Sequence, residues 1–324
     1  MTNQHKRPKG KQVSRASGSA SATRAASDAS SAPRRGLLDT LFAPRIAGST
    51  SMPSIRSSLA RGVTVVAGTP VIAVGAVSIV IVQWLGALAL GYEGPFALFV
   101  SALALAPVGT SFDATLSTSL FGLQGGFFAI LGFVALRAVI QAVLVAAVVE
   151  TLRAMPIGRW TLVRALRALP VALAVNVAGV GLLTLASLLG PLLGPAFGLL
   201  IQMGALVGGV YVLSFAPVIA ADEGRRLSDA MSRSVRAARM PGAGNLTLAA
   251  IYVVASIALL LVPGKPGADL GVNPTVAAWV LVLTANLLHV AMQATVVFRY
   301  LSVAAEVPEP APRRRPEPRS RARR

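Results

Sequence analysis

The sequence predicts an all-α membrane protein, a polytopic helix bundle with six transmembrane helices. Hydrophobic residues make up 54% of the 324 residues and charged residues 13%, and the mean hydropathy is +0.69. A soluble domain of this length needs much less apolar surface. The apolar residues also gather in long runs separated by arginines, as in chains that cross a membrane several times.

Three regions follow one another along the chain. Residues 1–61 are basic and rich in serine and alanine, and we expect them to be disordered, with an interfacial segment at 36–61 that can lie along the membrane surface. Residues 62–302 form the transmembrane domain. Residues 303–324 are a tail of arginine and proline that is also expected to be disordered.

Six apolar segments account for the transmembrane domain. A hydrocarbon core of about 30 Å requires about 20 mostly apolar residues per helix. The predicted spans are 63–91, 124–149, 170–190, 196–219, 247–263 and 275–298. A shorter apolar run, Pro95–Val108, contains proline, and we expect it to be re-entrant or interfacial.

The basic residues predict the orientation of these spans, because lysine and arginine collect on the cytoplasmic side. Arginines fill the N-terminal region, the loops after spans two and four, and the C-terminal tail. The opposite side holds Lys265. This pattern predicts a multi-pass protein of a bacterial plasma membrane with both termini in the cytoplasm.

A charged helix is predicted between spans four and five, at about 223–239. The apolar residues that form one stripe at helical spacing are Leu227, Ala230, Met231, Val235 and Ala238. The spacing also predicts the i, i+4 ion pairs Asp222–Arg226 and Asp229–Arg233. We expect this amphipathic helix to lie on the cytoplasmic headgroups as a connector, or else to act as a docking or gating element.

The same stretch carries a family resemblance. "FAPVIAADEG" at the end of a span, followed by "LSDAMSRSVRAAR" and a further span, resembles a loop of uncharacterised bacterial multi-spanning proteins, among them the membrane domains of glycerophosphodiester phosphodiesterases. The resemblance covers about 40 residues. It implies a membrane module without the soluble catalytic domain of those enzymes, and it transfers no catalytic residue.

Polar residues inside spans mark the candidate site, because such residues are costly in a membrane and often functional. Arg137 and Gln141 lie in span two and Asn176 in span three. An arginine at mid-membrane costs about 3 kcal/mol or more. Carbonyls and amides of neighbouring helices, a water-filled cavity or an anionic ligand would offset that cost.

Span six adds a second polar group. Asn286, His289 and Gln293 recur at i, i+3 and i+7 and therefore share one helical face. They are expected to bind a ligand together with Arg137, or to form hydrogen bonds between helices. A glycine ladder after span three, comprising Gly190, Gly194, Gly198, Gly204 and Gly208, predicts close helix packing.

Several classes of function are not expected. There is no cysteine, and the histidine of span six has no further ligands at metal-binding spacing, so no metal or cofactor is predicted. The charge of +18 lies in tails and loops without interleaved aromatic residues, which argues against nucleic-acid binding. No known catalytic motif is present, so an enzyme is not predicted.

Two functions remain open. The first is a non-enzymatic module that binds or moves a small anionic or lipid solute at the six polar residues. The second is a structural or accessory subunit whose protein partner supplies the activity. The lipid bilayer is the expected partner in both, with anionic lipid at the basic tails, and a protein partner or a homo-oligomer stays open.

Overall fold

The computed structural model describes residues 52–89, 105–108, 127–240, 244–261 and 273–307. The predicted disordered termini lie outside the described residues, except for residues 52–61 and 303–307. Residues 95–104 of the predicted re-entrant run lie outside them as well. Within the described residues every regular element is an α-helix, which confirms the all-α prediction.

Nine helices follow one another in the described residues. They are α1 (Ile55–Gly68), α2 (Pro70–Ala89), α3 (Phe127–Leu152), α4 (Arg159–Leu193), α5 (Pro195–Leu213), α6 (Ala216–Glu223), α7 (Leu227–Ala238), α8 (Asn245–Leu261) and α9 (Pro274–Val303).

Four stretches of the described residues are long and apolar enough to cross a membrane. They are Leu131–Leu152, Arg159–Leu189, Ala196–Glu223 and Thr275–Val303, and they correspond to predicted spans two, three, four and six. The helices α1 and α2 count as a fifth only if the bent pair is one span. Helix α8, at the predicted fifth span, is apolar but has 17 residues. The total of six spans therefore stays a prediction.

The predicted first span is not one straight helix. Helix α1 ends at Gly68, α2 begins at Pro70, and the chain bends by 82° between them. Proline disfavours the helical conformation of the residue before it, and Thr69 accordingly lies at φ −122°, ψ 85°. The same proline suits the first position of α2, where a missing N–H costs nothing.

The turn between α3 and α4 is tighter than the sequence predicts, because α4 begins at Arg159 rather than near residue 170. A Schellman motif ends α3, in which the N–H of Met155 donates to Glu150 O at 2.8 Å and that of Ala154 to Thr151 O at 3.1 Å. Ala154 has a φ of 54°, in the left-handed region that normally favours glycine. The arginines after this turn therefore lie on a helix and not in a loop.

Three helix pairs make the most extensive contacts in the described part of the chain. Helix α3 packs along α4, α4 packs along α5, and α1 packs along α9. The buried residues of α3 are mainly alanine and valine, which allow the helices to approach closely. Gly62 allows α1 to lie close to α9, because a methyl group at this position would meet the backbone of Ala291 and the side chain of Thr295.

Helix α7 lies against the end of the bundle. Gly224, with φ 67°, ends α6 in a left-handed cap, and α7 then begins at Leu227 rather than at 223. Its buried face includes Ala230, Ser234 and Ala237, and the Ser234 hydroxyl donates to Val212 O at 2.5 Å. Of the predicted apolar stripe, Ala230 and Ala238 are buried against the bundle, whereas Leu227 is 43% exposed.

The glycine ladder does not pack as predicted within the described part of the chain. A methyl group added at Gly194, Gly204 or Gly208 would have no described neighbour within 4 Å. Phe197 and Leu200 on the same helix, α5, expose about two thirds of their surface, at 65% and 66%. This side of α5 faces away from the rest of the bundle.

Candidate functional site

Arg137, the most costly of the predicted site residues, is held by backbone carbonyls. It lies on α3 with 3% of its surface exposed. Its Nη2 donates to Ala106 O at 3.0 Å and to Val108 O at 3.5 Å. Carbonyl oxygens carry partial negative charge, so these bonds offset part of the cost of burying the guanidinium group.

Gln141 and Asn176 continue the same arrangement. Gln141 lies one turn after the arginine on α3, and its Nε2 donates to Pro107 O. Its Oε1 accepts from Asn176 Nδ2 of α4 at 2.6 Å, and that Nδ2 also donates to Ala172 O at 2.8 Å. The amide of Asn176 therefore fixes the orientation of Gln141.

We call Arg137, Gln141 and Asn176, with the segment 105–108, the carbonyl brace. Three consecutive carbonyls of this segment accept hydrogen bonds from α3 side chains. A segment outside a helix cannot satisfy its own carbonyls when it is buried, so it needs such donors. The structure thus brings three of the six predicted site residues together. Their described hydrogen bonds are to one another and to backbone carbonyls of the protein.

The other three predicted residues form the α9 stripe, which we define as Asn286, His289 and Gln293. Each exposes 1% of its surface. Asn286 Nδ2 donates to Val282 O at 2.9 Å, and His289 Nδ1 lies 2.8 Å from the hydroxyl of Tyr252 on α8. The two rings meet edge to face with centroids 5.7 Å apart. The stripe is buried on one face of α9, as the spacing predicts.

Gln293 differs from its two neighbours in the stripe. Neither Nε2 nor Oε1 of its amide has a hydrogen-bond partner in the described part of the chain. An amide in that state loses its hydration without a replacement, which is unfavourable.

A set of ionic contacts that the sequence does not predict lies at one end of the bundle. Asp222, near the end of α6, has its carboxylate 2.7 Å from Arg153 Nη2 and 3.6 Å from Arg164 Nη1. Arg164 Nε also lies 3.7 Å from a carboxylate oxygen of Glu150, which is fully buried and accepts from the Thr161 hydroxyl. Arg164 of α4 therefore lies close to carboxylates of both α3 and α6.

Glu223 extends this set to α7 and α9. Its carboxylate accepts from the Tyr300 hydroxyl and lies 3.2 Å from Arg233 Nε and 3.1 Å from Arg225 Nε. Arg233 Nε also donates to the Tyr300 oxygen at 2.9 Å, and its Nη2 donates to Ala304 O at 2.7 Å. Five helices meet here, at what we call the charged junction: Glu150, Arg153, Arg164, Asp222, Glu223, Arg233 and Tyr300.

The charged junction corrects one of the two predicted ion pairs of the amphipathic helix and gives an arginine of the other further partners. Asp222 and Arg226 do not share a helix, because Gly224 breaks the chain between them. Arg233 of the predicted Asp229–Arg233 pair reaches across to α6 and α9. Spacing within one helix could not reveal these partners, because they come from other helices.

A second buried arginine, Arg299, ties down the beginning of α1. It is fully buried near the end of α9. Its Nε donates to Asn245 Oδ1 at 2.9 Å, and its Nη1 donates to Pro53 O at 2.8 Å and Ser58 Oγ at 3.0 Å. The sequence assigns this arginine to the basic flank of span six, and its partners lie too far away in sequence to be predicted.

The described residues contain no group of three or more His, Cys, Asp or Glu side chains that could hold a metal ion. In the described part of the chain, the carbonyl brace, the α9 stripe and the charged junction form hydrogen bonds and ion pairs between helices.

Comparisons of the chain with protein-family models, with curated proteins and with solved structures find no match.

Proposed function

We propose that the chain is a non-enzymatic, multi-pass protein of a bacterial plasma membrane, with six spans and both termini in the cytoplasm. The arginines support this topology. Contacts of Arg153, Arg233 and Arg299 bring the turn after α3, helix α7, the end of α9 and the start of α1 to one end of the bundle. The positive-inside rule then assigns that end to the cytoplasm.

Two shorter elements complete the six spans in this proposal. Helix α8 has 17 residues, the lower end of the range that crosses a membrane, and about 25 Å of length. Residues 105–108, the described end of the 95–108 run, are assigned to a re-entrant segment, since irregular backbone at membrane depth is tolerated where protein buries it, and Leu105, Ala106 and Val108 are buried.

Within this topology we propose a structural or accessory role for the protein. The carbonyl brace is the observation that carries the proposal, because the most costly of the predicted site residues, Arg137, forms hydrogen bonds within the protein. The other function that the sequence leaves open is the binding of a small anionic or lipid solute. In that function, the solute would offset the cost of burying Arg137. Ala106 and Val108 supply hydrogen-bond acceptors in place of that solute.

The partner of an accessory subunit would meet the membrane-facing side of α5. Gly204 and Gly208 leave that surface open in the described part of the chain, and small residues allow a second helix to approach closely. A role as membrane module also agrees with the resemblance to the membrane domains of glycerophosphodiester phosphodiesterases. Anionic lipid at the basic tails is part of the same proposal.

The test compares wild type with Arg137→Leu by native mass spectrometry with lipid analysis. Arg159→Leu, an arginine on the exposed start of α4, serves as the control. We expect identical bound lipids and anions in all three proteins. A compound that is retained by the wild type and the control but lost from Arg137→Leu would overturn the accessory role and establish solute binding.

A second readout reports directly on the brace. The chain has no cysteine, so Val108→Cys introduces a single thiol, at a position that is 6% exposed. We expect this thiol to be protected from a water-soluble maleimide and to react when Arg137→Leu is added. Equal protection in both backgrounds would show that Arg137 does not hold the segment.

A further inference from the structure

The α9 stripe contains an amide, that of Gln293, with neither of its polar atoms hydrogen-bonded in the described residues. Gln293 is 1% exposed, and both polar atoms of its amide lack a hydrogen-bond partner in the described residues. Buried amides are almost always hydrogen-bonded, to protein or to ordered water. The side chain therefore requires a partner of small size within the bundle.

The neighbours of Gln293 on the same face are themselves hydrogen-bonded. His289 lies one turn earlier, about 6 Å along the helix axis, and is bonded to Tyr252. Tyr300 lies two turns later, about 10 Å along the axis, and donates to Glu223 of the charged junction. The Gln293 amide therefore lies between hydrogen-bonded polar groups on one face of α9, and it has no hydrogen-bond partner of its own in the described residues.

The burial of the stripe limits what can bind to this amide. Asn286, His289 and Gln293 each expose 1% of their surface, so the stripe is closed off from the outside of the bundle. A single water molecule is small enough to form hydrogen bonds with a buried amide, whereas a larger solute would force the helices apart.

We infer that Gln293 binds internal water, one or two molecules that accept from Nε2 and donate to Oε1. The water extends the hydrogen-bonded line from Glu223 and Tyr300 at the charged junction towards His289 and Tyr252. This site goes beyond the proposed structural role, because it places water among buried residues of a membrane-spanning helix. Its ligand is water rather than an anion, and it does not involve Arg137.

Water-edited solid-state NMR on the full chain in lipid bilayers tests the site directly. Assignment of the Gln293 side-chain signal comes from its loss in Gln293→Leu. We expect rapid polarisation transfer from water to Gln293 Nε2, and slow transfer to Gln141 Nε2, because Gln141 is also buried and both polar atoms of its amide are hydrogen-bonded to the protein. Transfer to Gln293 that is no faster than transfer to Gln141 overturns the proposal.

The melting temperature of Gln293→Leu gives an independent answer. If the amide were dry and unpaired, its replacement by leucine would remove an unfavourable buried group, and the melting temperature would rise. If the amide holds water, the substitution displaces the water and its hydrogen bonds, and we expect a fall of a few degrees. An unchanged or higher melting temperature overturns the water site without affecting the carbonyl brace.

Discussion

Substitution of Gly62 by alanine tests the close contact between α1 and α9. A Cβ atom at this position would lie 2.5 Å from Ala291 O and closer still to Thr295 Oγ1. The first distance is 0.9 Å shorter than the 3.4 Å at which ordinary contact begins. The carbonyl is backbone and cannot rotate away, so α1 and α9 have to separate.

The magnitude follows from two opposing effects. Overpacking of a buried contact typically costs about 1–3 kcal/mol, and a backbone obstacle places this site in the upper part of that range. Alanine is favoured over glycine within a helix by about 0.5–1 kcal/mol, which offsets part of the cost. The net loss is about 2 kcal/mol, or roughly 5 °C in melting temperature for a domain of this size.

Thermal unfolding of the purified protein in detergent or nanodiscs measures this change. Gly75→Ala on α2 is the matched control, because its added methyl group meets nothing within 4 Å in the described residues. We expect the control to be as stable as wild type or slightly more stable. If Gly62→Ala melts at the same temperature as Gly75→Ala, the close approach of α1 and α9 is refuted.

Three further substitutions test individual features of the fold by the same measurement. Ala154→Gly should stabilise the protein by about 0.5–1 kcal/mol, because a φ of 54° suits glycine; destabilisation would contradict the left-handed turn. Ser234→Ala should cost about 1 kcal/mol and increase amide hydrogen exchange in α7, through loss of the bond to Val212 O, whereas the exposed Ser228→Ala should not. Asp222→Asn should cost about 1–3 kcal/mol, reduced from the full value of a buried pair by the exposure of one partner arginine, and a neutral effect would argue against the charged junction.

The apolar spans and the α9 stripe could be predicted because they depend on local pattern. A run of apolar residues has the same preference for helix and membrane whatever surrounds it, and spans two, three, four and six match described helices. The common face of Asn286, His289 and Gln293 follows from helix periodicity alone. Their burial then follows from the cost of exposing polar groups to lipid.

Other features depend on residues that are distant in sequence. The partners of Arg299 include Pro53 and Ser58, more than 240 residues away. No periodicity connects such positions, so the contacts could not be predicted. The bend at Thr69 has a local sequence signal, because Pro70 disfavours the helical conformation of the residue before it. The continuous apolar run through residues 63–91 nevertheless predicts one straight helix, so the bend was not expected.

The carbonyl brace has a consequence for the order in which the protein is built. Residues 105–108 leave the ribosome before Gln141, which holds them, and before Asn176, which orients Gln141. Asn176 is made roughly seventy residues after the segment, and at about 5–20 residues per second this takes several seconds. The segment therefore reaches its final position only after the later helices have been inserted, so an early part of the chain is fixed late. During that interval the carbonyls of residues 105–108 lack part of the set of hydrogen bonds that holds them in the finished protein.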